Sequence, residues 1–246
     1  MPQTVMVTGA ASGIGKACAL LCLKEGMEVV AVDRKAEDLA AALPRSNTLE
    51  LVAADLARAE ECAGAVERAV RRFGKLDALL HWAAVHSTRH WSELGAEEFN
   101  RVLGVNVTGS FLIAQAAARA MLPRKKGAIV LTASTSVIQG SIGGPPGNGG
   151  PAYVTSKAAI TGLTRSLARA MAPDGIRVNA VAPGVTDTPM IATYTPERRA
   201  AAIGSVPEGR LAAPEEIAAV GLFLISPAAS YISGEVIIAN GGAGFG

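Results

Sequence analysis

The chain is poor in aromatic residues, charge, histidine and cysteine, and it has no long apolar run. Phe, Tyr and Trp make up 4% of its 246 residues, and charged residues 18%, with a net charge of +2. That balance offers no basic face for nucleic acid, and no nucleic-acid partner is expected. Nowhere do about 18 apolar residues follow one another, as a membrane-crossing helix needs, so no membrane partner is expected either. The three cysteines, Cys18, Cys22 and Cys62, are odd in number and unclustered, which argues against a disulfide framework. Cys18 and Cys22 lie four apart in an expected helix and read as core packing. The first residues lack a basic stretch followed by an apolar one. No signal peptide is read, and a cytoplasmic location is the expectation.

Apolar residues, by contrast, are plentiful. They reach 50%, which with the low net charge excludes a disordered chain. Alanine alone accounts for 47 positions, and such small side chains suit close packing of helices on a sheet. Short apolar runs at 4–8, 28–32, 49–53, 77–82, 128–133, 176–181 and 235–239 read as strands. Between them, 13–25, 36–43, 58–73, 97–122, 152–172 and 214–225 carry helical periodicity. This alternation predicts parallel strands joined by crossover helices. The runs are continuous rather than alternating, as in strands covered on both faces. The expected fold is one doubly wound α/β domain over 1–246, with about seven parallel strands in the order 3-2-1-4-5-6-7. Two stretches break the rhythm. Residues 140–151 are too rich in Gly and Pro for helix or strand. Residues 184–213 contain Pro189, Pro196 and Pro207 with a short helical piece near 196–203, a candidate substrate lid.

The first strand runs into Thr8-Gly9-Ala10-Ala11-Ser12-Gly13-Ile14-Gly15, which opens a helix. Glycines let a backbone turn tightly and approach a phosphate, and the helix start offers N–H groups and positive charge to a pyrophosphate. The spacing is G-x-x-x-G-x-G rather than the general dinucleotide pattern. Asp33, 18 residues after Gly15, ends the second strand. A carboxylate there suits the two adenosine ribose hydroxyls and repels a 2′-phosphate. NAD is therefore favoured over NADP, although Arg34 partly offsets the repulsion. Asp55, after the third strand, fits either an adenine contact or a helix N-cap.

Tyr153 and Lys157 lie four apart on one helical face. An ammonium beside a phenol favours phenolate, so the pair suits proton exchange with an alcohol or carbonyl. Ser134 ends the fifth strand, where open α/β sheets present ligand-binding residues. Asn106 sits in an apolar helix, where a buried amide needs a partner. With these residues, Pro183-Gly184 and Ile238-Ala-Asn240-Gly-Gly, nearly the whole chain resembles the classical short-chain dehydrogenase/reductase family. The resemblance implies that Tyr153 is the acid/base, that Lys157 holds the nicotinamide ribose, and that Ser134 donates to the substrate oxygen. Asn106 is implied to hold a water linking Lys157 to solvent. Gly9, Ser12, Gly13, Ile14, Gly15, Asp33, Asp55, Leu56 and Ala83 are implied on the adenosine and phosphate side. Pro183, Gly184, Val185 and Thr188 are implied near the nicotinamide. A homotetramer is also implied, built from 97–122, 152–172 and the last strand, with small residues such as Ala114, Ala117, Ala118 and Ala168 permitting close packing.

Three departures stand out. His81-Trp82-Ala83-Ala84 replaces the family's Asn-Asn-Ala-Gly. All three histidines and both tryptophans fall within 81–91, so His86 and Trp91 are candidates for the substrate pocket. A zinc site on His86 and His90 lacks further ligands, and no metal is expected. Ser134 and Tyr153 are 19 apart, farther than is usual in the family, with the surplus in 140–151; Thr135 and Ser136 are fallbacks for Ser134. The expected activity is NAD-dependent interconversion of a neutral secondary alcohol, cyclic or aromatic to suit Trp82 or Trp91, and its ketone. The alternatives are an NADPH-dependent 3-oxoacyl thioester reductase and a catalytically silent nucleotide-binding protein.

Overall fold

A computed structural model describes residues 2–141, 143–144, 149–192 and 194–246. Seven strands are present: β1 (Thr4–Thr8), β2 (Glu28–Asp33), β3 (Leu49–Ala53), β4 (Ala78–His81), β5 (Gly127–Thr132), β6 (Ile176–Pro183) and β7 (Val236–Ala239). They form one parallel sheet in the order β3-β2-β1-β4-β5-β6-β7, as expected. Side chains alternate across it because the strand period is two. Met6, Val30 and Val32 enter one core layer, while Val5, Val7, Val29 and Ala31 enter the other.

The first layer is covered by α3 (Ala59–Phe73), α5 (Gly109–Met121) and α7 (Pro151–Met171); the second by α1 (Gly13–Lys24), α2 (Ala36–Ala42) and α9 (Pro214–Ile225). In α3 the buried residues Cys62, Ala65, Val66 and Ala69 follow helical spacing, so a single stripe meets the sheet. Ala114, Ala117, Ala118 and Ala168 are all buried in this same core. Their small size serves packing within the protomer. Cys18, Cys22 and Cys62 are buried free thiols.

The continuous helix expected over 97–122 is divided. α4 (Ala96–Leu103) passes through a π-helical turn at Gly104–Thr108 into α5. A short α6 (Ser136–Gln139) follows β5, within a stretch too short for periodicity to show. The 184–213 excursion carries α8 (Pro196–Gly204) and is closed at its base, where Ala212 N–H donates to Val185 O at 3.1 Å and Asp187 N–H to Ala212 O at 2.9 Å. Of the 140–151 loop, residues 142 and 145–148 lie outside the described residues. Its described part lies on the segment after β4: Gly150 N–H donates to Ser87 O at 2.7 Å.

Candidate active site

β1 is flanked by β2 and β4, so the strand order reverses there and a crevice opens beyond the strands' carboxyl ends. The glycine-rich turn stands at this crevice. Gly9 (φ +67°) and Gly13 (φ +51°) adopt left-handed backbone, and a Cβ on Gly15 would lie 2.1 Å from Gly9 O. Only glycine at position 15 lets α1 start this close to β1. The N-cap Ser12 makes no side-chain cap, and no acidic residue occupies the first turn. The first N–H groups, Ile14 among them, and the helix dipole are thus left for an anion. Thr188 closes the turn from the lid side, its methyl 3.2 Å from the position of a Gly13 Cβ. Asp33 points at the same turn: its Oδ2 accepts from Ala11 N–H at 3.1 Å and Oδ1 from Arg34 N–H at 2.7 Å. These residues fit a dinucleotide.

Asp55 caps the turn toward α3, accepting from Ala57 N–H at 3.0 Å. Asp55 is therefore not the helix N-cap, which is Arg58; its side chain closes a local turn before α3 begins at Ala59. Leu56 is buried in the core, with Gly109 packed against its carbonyl. Ala83 N–H donates to Thr8 Oγ1 at 3.2 Å. Gly184 packs on Asn240, and the Pro183 carbonyl accepts from both N–H and hydroxyl of Thr135, each at 3.2 Å.

Ser134 and Tyr153 meet despite their separation in sequence. The Ser134 oxygen accepts from Ser136 hydroxyl at 2.9 Å and from Ser136 N–H at 3.2 Å. Its own hydrogen is left to donate into the cleft. Thr135 is buried and committed to Pro183, so it does not serve as the fallback. His86 stands edge-on to Tyr153, with ring centroids 4.6 Å apart. A Cβ on Gly149 would lie 2.6 Å from the Tyr153 ring, so the Gly/Pro loop borders the phenol.

Burial pushes the Tyr153 hydroxyl up to about 12; Ser134 pulls it down and Tyr194, from the lid, pushes it further up. Burial also pushes Lys157 down to about 7. The expectation that Lys157 lowers the Tyr153 pKa is therefore not met in the protein alone. Lys157 Nζ lies 5.7 Å from the Tyr153 ring centroid and donates to Thr132 O at 2.9 Å. Desolvation of both groups outweighs their attraction at that separation. Burial and the Lys157 charge also lower the His86 pKa.

The family model described as enoyl-(acyl carrier protein) reductase matches residues 9–244. Cis-4-hydroxycyclohexanecarboxylate dehydrogenase of Sinomonas cyclohexanicum is 38% identical over 98% of this chain and 96% of its own. The 3-oxoacyl-[acyl-carrier-protein] reductase FabG of Thermotoga maritima is 35% identical over 98% of this chain and 97% of its own. A crystal structure from Brucella melitensis, titled a short-chain dehydrogenase/reductase and glucose/ribitol dehydrogenase, superposes with a TM-score of 0.90 at 32% identity, covering 99% of this chain and 97% of that one.

The chain belongs to the short-chain dehydrogenase/reductase family.

Several sequence expectations change within this short-chain dehydrogenase/reductase. Trp91 is 71% exposed and leans on His90 with ring centroids 5.5 Å apart. It lines a separate surface hollow of about 330 Å³ with Leu94, Phe99 and Pro151, not the Tyr153 cleft. Trp82 is buried in the opposite layer, against Gly221 of α9. Neither tryptophan touches the phenol as His86 does: Trp82 points to the other face of the sheet, and Trp91 is exposed beside His90. Ala84 keeps a negative φ, since Lys125 is the one described non-glycine residue with positive φ. The glycine it replaces is thus not needed. The Asn106 side chain accepts from Val85 N–H at 2.8 Å and donates to Val85 O at 3.0 Å and Ser156 Oγ at 2.9 Å. It joins the β4 end to α7. Sequence reasoning named His81 only as a departure, without a role, and passed over Ser110, Ser156, Tyr194 and Arg198. A histidine inside an apolar strand, and a serine four residues after Asn106 on one helix face, were the available signals. Among the described residues no His, Cys, Asp and Glu cluster could hold a metal, and no helix is long and apolar enough to cross a membrane.

Proposed function

We propose that this enzyme interconverts a cyclic secondary alcohol and its ketone with NAD, as one domain and as a cytoplasmic homotetramer. The observation that carries the reading is the convergence of Ser134, Tyr153 and Lys157 beside the glycine-rich turn. A nicotinamide dinucleotide in the crevice supplies the hydride acceptor or donor. Ser134 donates its free hydroxyl hydrogen to the substrate oxygen and orients it. Tyr153 takes the alcohol proton in oxidation and returns it in reduction. Lys157 stands by to hold a ribose and to share charge with the phenol. The Asp33 carboxylate, fixed by Ala11 N–H, supports NAD, because a 2′-phosphate there meets a like charge. His86 forms a wall of the substrate pocket, and the segment 184–213 is its lid.

Absorbance of reduced nicotinamide, followed with NAD or NADP and a panel of cyclic, aromatic and open-chain secondary alcohols, tests the reading. Turnover with NAD on cyclic alcohols is expected. Turnover confined to NADPH and 3-oxoacyl thioesters replaces it with the acyl reductase reading, to which the Thermotoga relative points. No turnover, with nucleotide still bound, makes the protein a silent binder.

A second reading concerns the substrate's charge. Arg198 stacks its guanidinium on Tyr194 at 5.0 Å, and its Nε is buried without a hydrogen-bond partner among the described residues. Tyr194 in turn acts electrostatically on Tyr153. A cyclic substrate bearing a carboxylate, as the Sinomonas relative's name describes, would give Arg198 a partner. Arg198→Met should then raise KM for cis-4-hydroxycyclohexanecarboxylate about tenfold, the loss of one charged hydrogen bond. The KM for cyclohexanol should not move. Equal effects on both substrates return the neutral-alcohol reading.

A further inference from the structure

We infer that His81 is a positioning residue, a one-proton bridge that ties the glycine-rich turn to Asn106 and through it to the helix of Tyr153 and Lys157. The bridge has a defined polarity. Ser110 hydroxyl donates to Asn106 O at 2.6 Å. Its single hydrogen is thereby used, so its oxygen accepts from His81 Nε2–H at 2.9 Å. The neutral ring then has an acceptor at Nδ1, which takes the Thr8 hydroxyl hydrogen at 2.8 Å. The Thr8 oxygen in turn accepts from Ala83 N–H at 3.2 Å. Every hydrogen is used once. The opposite tautomer would need the Ser110 hydrogen for Nε2 and would leave two bare acceptors 2.6 Å apart. Thr8, His81, Ser110 and Asn106 are all buried, so no water competes for these links. Burial, aided by the Lys157 charge, keeps the ring neutral.

Both ends of the bridge matter to the cleft. Thr8 precedes Gly9, where a Cβ would sit 2.9 Å from Ala83 N, so the turn rests on the β4 end. Asn106 holds Val85 and Ser156, and Ser156 Oγ donates to Tyr153 O at 2.7 Å. An error at one end is thus carried to the other through bonds that leave no slack. This inference rests on the nucleotide site proposed above.

The test is calorimetric titration of NAD into the full chain and into Thr8→Val, Ser110→Ala and the double variant. Ser110 lies on the far side of His81 from the turn. Its loss should nevertheless raise the NAD Kd about three- to tenfold, and the double variant should bind no worse than the weaker single within about twofold. An unchanged Kd in Ser110→Ala, or a double variant showing the product of the two losses, overturns the bridge. A 15N spectrum of the wild-type imidazoles with NAD present reads the same proposal without substitution. A single Nε2–H tautomer for His81 between pH 5 and 8 is expected, and an Nδ1–H or titrating ring overturns it. If the wild type binds no NAD, the nucleotide reading fails, and the spectrum alone decides the bridge.

Discussion

Tyr153 and Ser134 divide the work at the cleft unequally. Ser134 has two incoming hydrogen bonds from Ser136 and one hydrogen to give, which suits orienting an oxygen. In the proposed reaction Tyr153 is the group that accepts and returns the proton. Tyr153→Phe should therefore lower kcat by about 100-fold or more while the NAD Kd stays within about twofold, a split that pre-steady-state kinetics and calorimetry resolve together. His86→Ala should mainly raise the substrate KM, since it removes a wall rather than a proton carrier; unchanged kcat and KM would remove His86 from the pocket. His81 makes a different demand. Its pKa is pushed down to about 3 by burial, with a smaller contribution from Lys157. The folded protein keeps the ring neutral while the unfolded chain protonates it near its ordinary value of about 6.5. The unfolded state thus binds more protons between these values, and stability falls as pH drops through that window. The slope from this group is about 1.4 kcal/mol per pH unit. Denaturant melts of wild type and His81→Asn at pH 4 to 7 should show a shallower acid loss in the variant.

At the scale of elements, the start of α1 depends on glycine. A methyl on Gly15 has only Gly9 O and Thr8 O to push against, both backbone, so Gly15→Ala must part α1 from β1. We expect about 1–3 kcal/mol of destabilisation and loss of NAD binding, read by chemical denaturation and calorimetry. The strand and helix positions were legible in the sequence because the central apolar runs, β1, β2 and β4 to β6, are largely buried and the elements are punctuated by Gly, Pro or Asp. β1 and β3 match their expected ends, and the others shift by one or two residues. The π turn at 104–108 was not legible. Periodicity there continues unbroken; the turn is where Asn106 reaches out of the helix to Val85 and Ser156, contacts with residues 21 and 50 positions away. The proposed catalytic group was legible as Tyr153 and Lys157, four apart on one helical face, whereas the long Ser134–Tyr153 separation hid that Ser134 comes to the phenol. That Trp91 is exposed beside His90 was not legible, because composition shows that a large ring follows β4 but not which way it faces.

For the whole molecule, one sheet carries both core layers, and the 184–213 excursion is pinned at its base by the pairing of Val185 and Asp187 with Ala212. A single cooperative unfolding transition is expected, raised by NAD. At about 100 times Kd the ligand adds about 2.7 kcal/mol, or roughly 5–10 °C in a chain of this size. Two transitions by calorimetry, with only one moving on NAD addition, would divide the chain.

By itself the sequence determined the strand order, the position of the glycine-rich turn and the pairing of Tyr153 with Lys157 on one helix. Those depend on local period, on glycine's backbone freedom and on fixed spacing along one helix. Only the tertiary structure decided which way the tryptophans face, that His86 rather than Trp91 meets Tyr153, and that His81 bridges Thr8 to Ser110. Each of these is a contact between distant segments, set by which face of the sheet a side chain leaves and by which buried hydrogens remain to be paired.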